Sequence, residues 1–127
     1  MKYFLTLIFA LSILPVSAED FDPRCDLPKS LCEVQLKLEA ADAELNSVYK
    51  AVMKHIEADG LAGTYVEKDE LKRSLLESQR AWIKFRDSNC EAFYTLNSGG
   101  AQRNEARTEC LTEMTEARTA YIRDNYL

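Results

Sequence analysis

Histidine and tryptophan each occur once in these 127 residues, proline three times and glycine four. With a single imidazole, His55, and no serine or cysteine nucleophile beside it, a hydrolytic triad has no place here. His55 instead suits the end of a helix, where a cation meets the carbonyl dipole. The chain has no Cys-x-x-Cys, so its four cysteines lack both the spacing and the histidine support of a zinc site, and no metal or cofactor is expected. Few glycines and prolines leave long stretches free to run as helices, and there are no repeats or low-complexity tracts. Basic residues are outnumbered, 16 against 21 acidic ones, which argues against nucleic acid and anionic membranes and favours neutral or cationic partners.

What is present begins with an export signal. Lys2 precedes an apolar run from Tyr3 to Leu14, then Pro15-Val16-Ser17-Ala18 before Glu19-Asp20, the pattern of a signal peptide over residues 1–18 cut after Ala18. The run is too short for a membrane span, and no later stretch is long and apolar enough, so no stable membrane insertion is expected. A lipid anchor is not expected either, because the first following cysteine, Cys25, is preceded by Phe21-Asp22-Pro23-Arg24 rather than an apolar lipidation signal. Cleavage leaves residues 19–127, the size of one small helical domain. Lys2 is the only charge removed, so the net charge moves from −5 to −6. In an oxidising compartment Cys25, Cys32, Cys90 and Cys110 imply two disulfides. Of three pairings, Cys25 with Cys32 and Cys90 with Cys110 is preferred because each pair is close along the chain.

Leu31, Val34, Leu38, Ala41, Leu45, Val48 and Val52 recur at alternating steps of three and four, a helical seam. It predicts a first helix over 30–58, with Ser30 and Glu33 as a capping box and Asp59-Gly60 and Gly63 as its stop. A second helix runs from 67 to 95, carrying Leu71, Leu75, Trp82, Phe85 and Phe93, and Asn97-Ser98-Gly99-Gly100 breaks it. A third covers 102–125, with Cys110, Met114, Ala117 and Tyr121 on its buried side and Leu111 and Ile122 flanking. The fold class is all-α: an antiparallel three-helix bundle stapled by two disulfides.

Polar residues border the core stripes. Asp42, Leu45, Asn46 and Tyr49 share one face of the first helix, and a carboxylate beside the seam needs a cation or several donors. An arginine fork meets a carboxylate and an amide together, so Asp42, Asn46, Gln79 and Arg86 read as an interhelical network, with Arg118 a further member. Tyr49, Trp82 and Phe85 read as core anchors. Surface alternatives for partner binding are the turn holding Ser98, Gly99, Gly100 and Arg103, and the acidic residues Glu67, Asp69, Glu70 and Glu77.

Asp42-x-x-Leu45-Asn46-x-x-Tyr49, Gln79-Arg80-x-Trp82-x-x-x-Arg86-Asp87-x-x-Cys90, Gly99-Gly100, Cys110-Leu111 and Thr115-x-x-Arg118 occur in that order. With the leading pair Cys25 and Cys32, this arrangement resembles the LprI-type family of lysozyme inhibitors. The resemblance implies an exported, periplasmic or secreted helical domain that binds and blocks a cationic lysozyme without catalysis. The name-giving member of that family is a lipoprotein, from which this chain departs. An acidic protein is steered toward a basic lysozyme, and a small polar turn fits a cleft lined by catalytic carboxylates, where Arg103 meets one of them. A general envelope interaction or stress domain is the alternative, and monomer and dimer are both open.

Overall fold

A computed structural model describes residues 21–58, 62–63 and 65–127; the expected signal peptide and its cleavage point lie outside them. Three helices carry the architecture: α1 Lys29–Glu57, α2 Lys68–Leu96 and α3 Arg103–Tyr126. Each lies one residue from its expected bounds. Both expected disulfides are present, Cys25–Cys32 and Cys90–Cys110. Ahead of α1, strands β1 Phe21–Asp22 and β2 Leu27–Pro28 form a two-residue antiparallel ladder, Phe21 opposite Pro28 and Asp22 opposite Leu27. Among the described residues, no helix is long and apolar enough to cross a membrane.

The ladder alters the start of α1. Pro28, held extended against Phe21, is the N-cap, and no side chain caps the helix. Ser30 therefore sits inside the first turn, and its hydroxyl donates to Glu105 Oε1 at 3.0 Å rather than closing a capping box with Glu33. At the other end His55 lies in the last turn of α1, as expected, and Lys68 Nζ donates to the Glu57 carbonyl at 3.1 Å. Gly63, in the connection to α2, has φ of 93°, a backbone state that an L side chain rarely adopts.

The N-terminal turn is tied by charge as well as by Cys25–Cys32. Arg24 donates to both carboxyl oxygens of Asp22, and its backbone N–H donates to Oδ1 at 3.0 Å. The Arg24 side chain, then its N–H, hold the Asp22 carboxyl at about 2, below the ordinary carboxylate value. Because the folded value is depressed, the unfolded chain takes up the proton first as pH falls. The stabilisation is thus present above about pH 4 and is lost as pH falls toward 2. An NMR titration of the Asp22 carboxyl should show a midpoint near 2; a midpoint near 4 would show the Arg24 contact absent in solution.

The helix α3 is the middle element: it packs along both α1 and α2, which touch each other sparingly. One core cluster joins Leu45, Val48, Val52 and Ile56 of α1 to Leu75 of α2 and Ile122 of α3. A second gathers Cys90, Cys110 and Leu111, with Leu38 and Met114 against them. The α1 seam is buried or half-buried throughout.

The α3 face is the expected one in part: Cys110 is buried and Met114 packs beside it. Ile122 and Leu111 are buried, whereas Ala117 is exposed and Tyr121 is 53% exposed. Thr108, Thr112, Thr115 and Thr119 are buried instead, each hydroxyl donating to the carbonyl four residues back at 2.7–3.0 Å. A threonine so satisfied costs little to bury and is small enough for close helix approach.

Among the expected anchors, Tyr49 and Trp82 are half-buried against the first cluster. Phe85 is 60% exposed and does not anchor the core. Three residues beyond Trp82, it is turned some 60° off the contact face of α2, and α2 has a close neighbour on one side only. Trp82→Ala is accordingly expected to cost about 2 kcal/mol, and Phe85→Ala under about 0.5 kcal/mol. Urea midpoints check the contrast; equal losses would place Phe85 in a packed environment.

Candidate partner-binding site

Arg86 is the junction of the three helices. Only 13% of its side chain is exposed; Nη1 donates to Asp42 Oδ1 of α1 at 2.9 Å and to Thr115 Oγ1 of α3 at 3.0 Å. Its Nε donates to Asp87 Oδ1 at 3.0 Å, and its guanidinium lies 5.3 Å from the Trp82 ring centre. Two carboxylates, a hydroxyl and an aromatic face thus receive one partly buried cation, the arrangement that lets an arginine leave water.

Arg118 forms a separate group. It donates to Gln79 Oε1 at 3.1 Å and Ser78 Oγ at 2.9 Å and lies 5.7 Å from the rings of both Trp82 and Tyr121. The single network expected from sequence is therefore two, Asp42–Arg86–Thr115 and Gln79–Arg118–Ser78, with the Trp82 ring near both guanidinium groups. Asn46 belongs to neither. It is exposed on a helix that touches α2 only sparingly. Thr115 and Ser78 were missed as members; the spacing of Thr115 three residues before Arg118 was the available signal. The Tyr49 hydroxyl is buried with no hydrogen-bond partner among the described residues, and burial pushes its pKa up.

These groups are committed within the protein. A site open to a partner lies at the α2–α3 turn. The Asn97 side chain donates to the Phe93 carbonyl at 2.8 Å, and Gly100 N–H to the Asn97 carbonyl at 2.9 Å, closing the turn. Cys90–Cys110 joins the two helices behind it. Ser98, Gly99, Gly100 and Arg103 are all exposed, and the Arg103 guanidinium lies 5.3 Å from the Tyr94 ring centre. Nothing lies within 4 Å of a Cβ built on Gly99. Leu96, the first residue of the expected binding turn, is 80% exposed, and Phe93, which sequence patterning placed on the apolar stripe of α2, is 45% exposed.

Beside the turn, α1 and α3 enclose a groove. A cavity of about 480 Å³ is lined by Ser30, Glu33, Lys37, Asn97, Glu105 and Glu109 among others. Hollows of about 270 and 400 Å³ share Lys37 with it and bring Glu113, Glu116 and Glu44 to the groove walls. Of its two cations, Arg123 is paired with Glu44. The alternative acidic residues Glu67, Asp69, Glu70 and Glu77 lie exposed around the start of α2, where Asp69 pairs with Lys72 at 3.2 Å. No group of three or more His, Cys, Asp or Glu is placed to hold a metal among the described residues.

The model of a family described as lysozyme inhibitor LprI matches residues 32–122. A protein of Rhizobium meliloti (strain 1021), described as uncharacterized, is 31% identical over 128 residues, covering 91% of each chain. No solved structure matches.

Proposed function

Because the chain belongs to the lysozyme inhibitor LprI family, we propose that it is an exported inhibitor, periplasmic or secreted, that binds a lysozyme and blocks it without catalysis. The match across residues 32–122 carries this reading, since it includes both arms of the α2–α3 hairpin and both walls of the groove. The excess of acidic residues supports it: a basic enzyme is drawn to an acidic partner and held against its surface. In this reading the Ser98–Arg103 turn enters or covers the cleft, with Arg103 paired to a catalytic carboxylate and the glycines allowing close approach.

Light scattering on the protein lacking residues 1–18, mixed with chicken-type, goose-type or invertebrate-type lysozyme, tests it. An equimolar complex is expected with one type at low salt, weakening as salt rises. Mixtures that remain two separate species with all three would contradict it. Arg103→Glu is expected to weaken inhibition about tenfold or more, since it reverses the charge offered to a carboxylate.

A further inference from the structure

We propose that the α2–α3 tip and the acid-walled cavity beside it form one docking surface for a basic protein, with Leu96 and Phe93 as apolar anchors and Glu33, Glu105 and Glu109 receiving Lys or Arg side chains. The proposal rests on the inhibitor reading for the partner's identity and adds which face binds it.

Three features meet at this end of the molecule. The first is an apolar projection: Leu96 is 80% and Phe93 45% exposed on the last turns of α2, with Tyr94 between them in sequence. Large apolar side chains grouped at a rigid tip lose water when a partner covers them, whereas isolated ones need no partner. The second is order. The turn is closed by its own hydrogen bonds and stapled by Cys90–Cys110, so little conformational freedom remains to be lost on binding.

The third is charge, which names the occupant. Asn97, next to Leu96, lines the same cavity as Glu33, Glu105 and Glu109, so the carboxylates adjoin the apolar tip. Several other acidic residues are paired within the chain, Asp22 with Arg24, Glu57 with Lys72, Asp42 with Arg86, Glu91 with Arg107 and Glu44 with Arg123, whereas ones unpaired among the described residues, such as Glu67, Glu70 and Glu77, lie toward the other end of α2 from Leu96. Among the described residues Glu33 and Glu109 make no ion pair, Arg24 being a charge that acts on Glu33 from outside the cavity, and Glu105 receives the Ser30 hydroxyl. Lys37 is the one basic residue in this wall. Anionic or neutral partners gain nothing from such a surface; a basic protein gains at each carboxylate.

Calorimetry of the protein lacking residues 1–18 against the three lysozyme types, and against cytochrome c as a second basic protein, separates the possibilities. The triple variant Glu33→Gln, Glu105→Gln, Glu109→Gln is expected to weaken binding about tenfold at low salt. The control triple Glu67→Gln, Glu70→Gln, Glu77→Gln, with the same change in net charge, is expected to change it less than about twofold. Leu96→Asp is expected to weaken it at least about tenfold. Circular dichroism melts confirm that each variant is folded. Equal effects of the two triples, normal binding by Leu96→Asp, or no binding of the unaltered protein to any of the four basic proteins would overturn the proposal. Inhibition of lysis that survives all these substitutions would leave the inhibitor standing and sink this surface. Binding through the tip without loss of lysis would keep the surface and sink the inhibitor.

Discussion

Replacing both Cys90 and Cys110 with alanine is expected to lower the unfolding free energy by about 3–4 kcal/mol. The bridge closes a loop with a sequence separation of 20 between two helices, and a cross-link of that span restricts the unfolded chain by about 3 kcal/mol. Both cysteines are also buried beside Leu111, so alanine removes packed sulfur as well. For a domain this small the loss is a large fraction of its total stability. Urea unfolding should show a lower midpoint with a similar or steeper slope, and the α2–α3 turn should exchange its amides faster. A loss below about 1 kcal/mol would mean that the hairpin is held by packing alone.

Ile122→Ala is expected to cost about 3–4 kcal/mol, while Tyr121→Ala, one residue away, should cost under about 1 kcal/mol. Ile122 is 1% exposed and meets residues of both other helices, Leu45, Val48, Val52 and Ile56 on one side and Leu75 on the other. Truncation there leaves a cavity that three helices together have to close, and such sites collapse poorly. Tyr121 lies against Arg118 and is 53% exposed. Thermal or urea unfolding of the two variants decides the matter. Equal costs, or a larger one for Tyr121, would mean that α3 is rotated about its axis relative to the arrangement described.

This pair of residues also marks where sequence patterning stops being sufficient. The limits of α1, α2 and α3 were legible to within one residue, because the helical periods are strong and the Asn97–Gly100 stretch punctuates them; Asp59-Gly60, the expected stop of α1, lies outside the described residues. The α1 seam was legible too, since α1 buries one narrow stripe. The helix α3 packs against two neighbours and buries a broad arc, half of it threonine, and a pattern that counts threonine as polar places Cys110 and Met114 correctly but puts Ala117 and Tyr121 on the buried side in place of the threonines. The opposite error befell α2, whose apolar residues Phe85 and Phe93 were read with the core stripe although they are 60% and 45% exposed. Ser30 resembled a cap because the short ladder ending at Pro28 could not be foreseen from two residues on each side.

At the functional level, the disulfide pairing followed from proximity along the chain. Asp42 and Arg86 were legible as partners because a carboxylate beside a core seam needs a cation. Their sharing of Thr115, and the separate grouping of Arg118 with Ser78, depend on how far each helix is rotated about its neighbours, which residue spacing does not encode. The turn at Ser98–Arg103 was legible from its small residues. The acid-walled cavity was not, because Glu33 and Glu109 lie 76 positions apart in sequence and meet only when α1 and α3 are packed together.

The most direct measurement is a titration of the purified protein lacking residues 1–18 into chicken-type, goose-type and invertebrate-type lysozymes acting on cell-wall substrate, at low and physiological salt. Saturable loss of lysis with one enzyme type, complete near equimolar protein and weaker at higher salt, is the expected result. Unchanged lysis of all three at every dose, by protein shown to be folded with both disulfides formed, would contradict the inhibitor reading.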